Sequence, residues 1–127
     1  GFTPQSVYQL GGYKVQGREN KAQDELIKLA VKLENLGCFA VLLEMVPSSL
    51  AKKISESIEI PTIGIGASKY CDGQVLVSND LIGLNTGFSP KFSKQYCNIS
   101  KDIEEAISLF KNDVEKELFP NKDQSFE

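Results

Sequence analysis

Histidine is missing altogether, and cysteine occurs only at Cys38, Cys71 and Cys97. Without histidine, zinc sites of the usual Cys/His type are excluded. So are Ser-His-Asp and Cys-His nucleophile systems. Three cysteines at unpatterned spacings make neither a disulfide framework nor a CxxC motif. Positive charge is not in excess either: the net charge is −3 and the isoelectric point about 5.1, which leaves no basic footprint for nucleic acid. No apolar run approaches the ~18 residues a membrane-crossing helix needs. No charged-then-apolar signal segment opens the chain. These absences lead us to expect a cytoplasmic protein with no nucleic-acid or membrane partner. Its chemistry must come from carboxylates, lysines, hydroxyls or a hard metal.

What the 127 residues do contain is one domain's worth of chain organised around Phe39–Pro47, FAVLLEMVP. Phe39 to Leu43 is an unbroken apolar run, the pattern of a strand buried on both faces in a parallel sheet. Glu44 ends that run just before a strand-to-helix loop. In α/β folds this carboxyl edge is where ligands bind and catalytic side chains project. Sequence position alone leaves Glu44 open to a helix-terminus or salt-bridge role as well.

Around this strand the period changes repeatedly. Thr3 and Pro4 fit the start of a short helical turn, and Leu10 to Arg18 is loop-like, with glycines at 11, 12 and 17. Ala22, Leu26, Ala30, Leu33 and Leu36 predict an amphipathic helix over 20–36, with Gly37 as its terminator. A second helix is expected from a Ser48 or Ser49 N-cap to about Ile58, burying Leu50, Ala51, Ile54 and Ile58 and leaving Lys52, Lys53 and Glu56 in solvent. Thr62 to Ala67 reads as the next strand, with Ile63 and Ile65 on one face and Gly64 and Gly66 on the other. Paired glycines there imply close approach of a ligand or of another backbone. They are not a dinucleotide fingerprint, because Lys69 stands where the third glycine of GxGxxG belongs.

Gln74 to Val77 is expected as a third strand, and Leu81 to Pro90 as irregular. A last helix is expected from a Ser100 cap to Pro120, burying Ile103, Ile107, Phe110, Val114 and Leu118. Cys38 reads as a small buried hydrophobe, and Asp72 and Asp80 as turn or capping residues. Lys69 reads as an exposed loop lysine, and Tyr13, Tyr70 and Phe88 as core or stacking aromatics. Buried strands joined by helical crossovers define a parallel α/β fold. Three strands amount to about half of a (β/α)8 barrel, which takes ~250 residues.

Several blocks together resemble the ketopantoate hydroxymethyltransferase family. They are Gly1-Phe2-Thr3-Pro4-Gln5-Ser6-Val7, Leu10-Gly11-Gly12-Tyr13-Lys14-Val15-Gln16-Gly17-Arg18, Leu43-Glu44-Met45-Val46-Pro47, Ile60-Pro61-Thr62-Ile63-Gly64-Ile65-Gly66-Ala67 and Cys71-Asp72-Gly73-Gln74-Val75-Leu76-Val77, with Phe119-Pro120 and Ser125-Phe126 at the end. The resemblance runs in order through the chain but only to the family's carboxyl-terminal half. It implies a TIM barrel of the phosphoenolpyruvate mutase and isocitrate lyase type, of which residues 1–127 are a single partial domain without its amino-terminal half. It further implies transfer of a hydroxymethyl group from 5,10-methylenetetrahydrofolate to 3-methyl-2-oxobutanoate, a step in pantothenate biosynthesis.

In the family a glutamate of the Leu-Glu-(Cys or Met)-Val-Pro block removes the substrate's C3 proton, a role that maps onto Glu44. A magnesium ion holds the α-keto acid and stabilises the enolate. The resemblance places its ligands upstream of Gly1, so no metal ligand is expected in this chain, which alone is expected to be inactive. Gly64 and Gly66, from their alternation, are expected to leave room for substrate. The complete protein is expected to form a homo-oligomer. Asn79 and Gln124 stand where the family usually has histidine, and Ser68 where it often has glycine. Two other readings are a magnesium-dependent C–C lyase of the same superfamily and a non-catalytic half-barrel acting only in assembly with another chain.

Overall fold

The computed structural model describes residues 1–85 and 87–126. Thr86, inside the stretch expected to be irregular, lies outside the described residues. The chain divides into two compact units, Gly1–Leu76 and Val77–Glu127.

In the first unit, α1 (Asn20–Asn35) forms where the apolar i, i+4 spacing predicts it, and Gly37 at φ 87° stops it. β1 (Val41–Glu44), α2 (Ser48–Ser57), β2 (Thr62–Ile65) and β3 (Gly73–Gln74) follow. The sheet has the order β1-β2-β3 and is parallel, pairing Val41 with Thr62, Glu44 with Ile65, and Ile63 with Gly73. Parallel pairing requires crossovers, and α2 provides the one between β1 and β2. The core lies between one face of this sheet and the helices. Ala30, Val41, Leu43, Val46, Leu50, Ala51, Ile54, Ile58 and Cys71 pack together there. Full burial of Leu50 and Ile54 contributes roughly 1.5–3 kcal/mol for each side chain.

Four expectations are corrected here. The run Phe39–Leu43 is buried on one face only: Val41 and Leu43 are covered, whereas Leu42 is 56 % exposed and Phe39, ahead of the strand, 89 % exposed. Among the described residues of the first unit, the helices pack on one side of the sheet, the side of Val41 and Leu43. Cys38, in the turn after α1, is exposed rather than buried. Pro47, not a serine, occupies the N-cap of α2, and no side chain caps it. Ser48 Oγ instead shares a 2.9 Å hydrogen bond with Ser68 Oγ. The third strand is Gly73–Gln74, one step earlier and shorter than expected, with Val75 N–H still donating to Gly64 O at 3.0 Å.

One part-buried polar network ties β2 to the loop before β3. Thr62, fully buried, donates from its backbone N–H (2.8 Å) and its hydroxyl (2.9 Å) to Asp72 Oδ2. An ionised carboxylate only accepts, so the hydroxyl's proton is committed, and Ser55 Oγ must be the donor in its 2.7 Å contact with Thr62 Oγ1. These bonds hold the Asp72 carboxyl below the ordinary value of 3.8. A lowered folded pKa contributes stability that is present above the unfolded value and lost as pH falls through the folded one. Thr62→Val is therefore expected to lower stability at neutral pH, because it removes the hydroxyl's hydrogen bonds to Asp72 and Ser55. It should also flatten the loss of stability below pH 3.8. Denaturant titrations across that range check both, and an unchanged midpoint at neutral pH would show the network to be energetically idle.

The second unit holds α3 (Ser78–Leu81) and α4 (Ile99–Glu115). Asn98, not Ser100, caps α4, accepting from Lys101 N–H at 3.2 Å. The helix ends at Glu115, with Glu117 at φ 58°, before Pro120 is reached. Its stripe of Ile103, Ile107, Phe110 and Val114, and Leu118 beyond it, is exposed rather than buried. Among the described residues this unit offers no sheet and no second long helix to cover that stripe. No helix among the described residues is long and apolar enough to cross a membrane.

Candidate active site

The first unit concentrates its unusual geometry on Glu44 and Met45. In a parallel sheet, registered partners share a face, so Glu44 lies with Leu42, Ile63 and Ile65 on the face away from the helices. Three segments clasp this point through the backbone. Phe2 N–H donates to Glu44 O at 2.7 Å, Met45 N–H to Ile65 O at 3.0 Å, and Gln16 N–H to Met45 O at 2.9 Å. Met45 takes φ 50°, a left-handed conformation that costs a non-glycine residue roughly 1–2 kcal/mol. Such outliers persist where the surroundings over-determine them, and they cluster at functional sites.

Partial burial pushes the Glu44 carboxyl above its ordinary value of 4.5, opposed by the amino group of Gly1. A carboxylate so shifted is a stronger base when ionised.

Next to it, Tyr13, Lys14, Val15, Arg18 and Met45 line a hollow of about 320 Å³. The sequence marks this segment as a glycine-bearing loop of the kind toward which function is biased, with Tyr13 as a core or stacking aromatic, but singles out neither Lys14 nor Arg18. The alternation of Arg18 and Lys14 around Gln16, whose amide binds Met45, is the signal that goes unused there.

Gly64 is not brought to Glu44. It is registered with Leu43 on the helix side, where a Cβ would stand 2.9 Å from Gln74 Oε1 and 3.1 Å from Cys71 Sγ. The missing side chain makes room for those two residues instead. Gly66 follows β2 at φ 61°, past the residue paired with Glu44. Asp72 serves Thr62, and Asp80 accepts from Asn85 Nδ2. Lys69 and Lys52 flank the Tyr70 ring at 5.5 and 5.3 Å from its centroid. Tyr13 and Phe88 are exposed rather than part of the core.

Among the described residues, no three His, Cys, Asp or Glu side chains come together as a metal site.

A parallel α/β sheet with a partly buried carboxylate at its carboxyl edge places the chain among the α/β proteins, whose ligands bind at that edge. Within that class the relatives are specific. The family model described as ketopantoate hydroxymethyltransferase matches residues 1–122, and the chain belongs to that family. A 3-methyl-2-oxobutanoate hydroxymethyltransferase of Thermosipho africanus is 54 % identical over all of this chain and 48 % of its own length. The proteins of that name from Bdellovibrio bacteriovorus and Thermotoga maritima are 52 % and 50 % identical over 99 % of this chain, covering 48 % and 47 % of their lengths. The chain thus spans about half the length of the curated relatives it matches.

Proposed function

We propose that this chain provides the base-bearing half of an enzyme that transfers a hydroxymethyl group from 5,10-methylenetetrahydrofolate to 3-methyl-2-oxobutanoate. The observation that carries the proposal is Glu44, which burial shifts above the ordinary carboxylate pKa at the carboxyl edge of β1. Ionised, it takes the proton from C3 of the keto acid. The electron pair left on C3 then forms the bond to the donor's methylene carbon, which gives up both of its bonds to nitrogen. Water supplies the hydroxyl oxygen, and its two protons together with the one taken from C3 go to that hydroxyl and to the two nitrogens of the departing tetrahydrofolate. The three-stranded sheet is read as part of a (β/α)8 barrel of the phosphoenolpyruvate mutase type, with Leu42, Ile63 and Ile65 turned to its interior. Magnesium belongs to this reading through the family, with ligands in the portion of the relatives that this chain does not match. A cytoplasmic setting and a homo-oligomeric whole protein are part of the same proposal. Gly66, one residue past the strand end, is the glycine retained as a substrate neighbour.

A C–C lyase is not favoured, because the relatives carry transferase names. The assembly reading keeps one support: Leu42 is 56 % exposed on its face of the sheet, a surface that a further part of a barrel would cover. Both points are tested by joining residues 1–127 to the amino-terminal portion of the Thermosipho africanus relative. Ketopantoate should form from 3-methyl-2-oxobutanoate and methylenetetrahydrofolate with the joined protein and not with the chain alone. A folded joined protein that makes none would refute the transferase reading.

A further inference from the structure

We propose that the hollow lined by Tyr13, Lys14, Val15, Arg18 and Met45 seats a ligand that carries an aromatic ring followed by carboxylates, the aminobenzoyl-glutamate tail of the one-carbon donor. The assignment rests on the transferase reading above for the identity of the donor, but the chemistry of the hollow stands on its own. Its volume of about 320 Å³ falls within the roughly 300–1,000 Å³ range of small-molecule sites.

Two cations line the hollow in a chain whose net charge is −3. The ion pairs among the described residues are Lys52–Glu56 and Lys111–Glu115, so neither Lys14 nor Arg18 is neutralised by one. The ammonium group lies against the loop: Lys14 Nζ is 3.1 Å from where a Cβ on Gly11 would stand. A planar guanidinium and a flexible ammonium together can grip separate carboxylates, the one bidentately and the other as a point charge. The remaining lining is apolar or aromatic, which suits an arene better than a bare inorganic anion. Tyr13 is 77 % exposed, yet its ring is held against Phe2, centroids 5.2 Å apart and tilted 33°. The rest of the ring is accessible to a ligand.

The hollow is also fixed relative to the proposed base. Gln16 bonds Met45 O through its backbone N–H at 2.9 Å and Lys14 O through its side chain at 2.8 Å. Met45 lines the hollow and directly follows Glu44. A donor anchored here by its tail lies beside the edge from which Glu44 acts.

The test is a ¹⁵N–¹H NMR titration of this chain with p-aminobenzoylglutamate, p-aminobenzamide and 3-methyl-2-oxobutanoate in parallel. Saturable shifts are expected at the amides of residues 13–18 and Met45 with p-aminobenzoylglutamate. Binding should be at least tenfold weaker for p-aminobenzamide, which lacks the carboxylates, and should weaken as salt screens the cations. Lys14→Gln with Arg18→Gln should weaken it at least tenfold, whereas Lys14→Arg should keep it. Spectra unchanged elsewhere show that the variants fold. No saturable shift, shifts mapping to other residues, or equal affinity in the Gln variant would overturn the proposal. So would the keto acid occupying these amides while p-aminobenzoylglutamate does not. Because binding is read without turnover, a failed transfer assay leaves this result standing, and a failed titration leaves the transferase reading standing.

Discussion

Glu44→Gln, in the joined protein, is expected to slow deuterium exchange at C3 of 3-methyl-2-oxobutanoate by about 10²–10⁴-fold, the usual contribution of a positioned base. The amide keeps the size of the side chain but cannot take the proton. Proton NMR in deuterated buffer without folate isolates this step from the transfer that follows. In the parent, exchange should increase with pH through a folded pKa above 4.5, since only the ionised carboxylate is competent. The same shift has a stability signature. A raised folded pKa means that the fold favours the protonated group, an advantage present below the unfolded value and lost as pH rises through the folded one. Glu44→Gln should consequently be more stable than the parent above that folded pKa and gain nothing below 4.5. Equal exchange by parent and variant would remove Glu44 from the reaction. A variant less stable than the parent at neutral pH would show that burial does not penalise its charge.

Gly17→Ala is expected to destabilise the first unit by about 2–5 kcal/mol, from two separable causes. Gly17 is at φ 77° and buried, so a side chain meets the left-handed penalty of roughly 1–2 kcal/mol. The added methyl would also overlap Leu50 Cδ2 and lie 3.0 Å from Leu26 Cδ1. Leu50 is fully buried and has nowhere to retreat, which adds about 1–3 kcal/mol of overpacking. Gly12→Ala separates the two. Gly12 has φ 100°, but a Cβ there has nothing within 4 Å, so only the backbone cost applies. Chemical denaturation of the two variants should differ by the overpacking alone. Equal midpoints would show that the contact of Gly17 with Leu50 and Leu26 carries no energy.

The parts of this fold that are legible in the sequence are those fixed by local period. The stripe Leu50, Ala51, Ile54 and Ile58 is buried as its spacing requires, because α2 finds its cover a few residues away, in the β1 and α1 of its own unit. Leu42 and the α4 stripe fail for one reason: periodicity reveals which face seeks cover, not whether the chain provides it. Caps are ambiguous where candidates are adjacent, as with Pro47 beside Ser48 and Asn98 beside Ser100. Glu44 is legible because a charge ending an apolar run is conspicuous. Lys14 and Arg18 are not, since charged residues in a glycine-rich loop look the same whether or not they line a hollow. For Gly64 the alternation is right, but the side to which the helices pack decides what fills the gap, and that is a tertiary fact.

The clasp at Met45 bears on how this protein tolerates change. The loop from Tyr13 to Arg18 and the segment after Glu44 are joined by the backbone hydrogen bond from Gln16 N–H to Met45 O. Substitutions at residue 45 and in that loop will therefore not act independently. A side chain that relaxes the left-handed turn at position 45 moves the carbonyl that Gln16 grips, and its effect depends on which residues the loop already carries. Exchanging either segment alone with a relative should thus do more damage than exchanging both. In lineages of this family the two stretches are expected to drift as a pair.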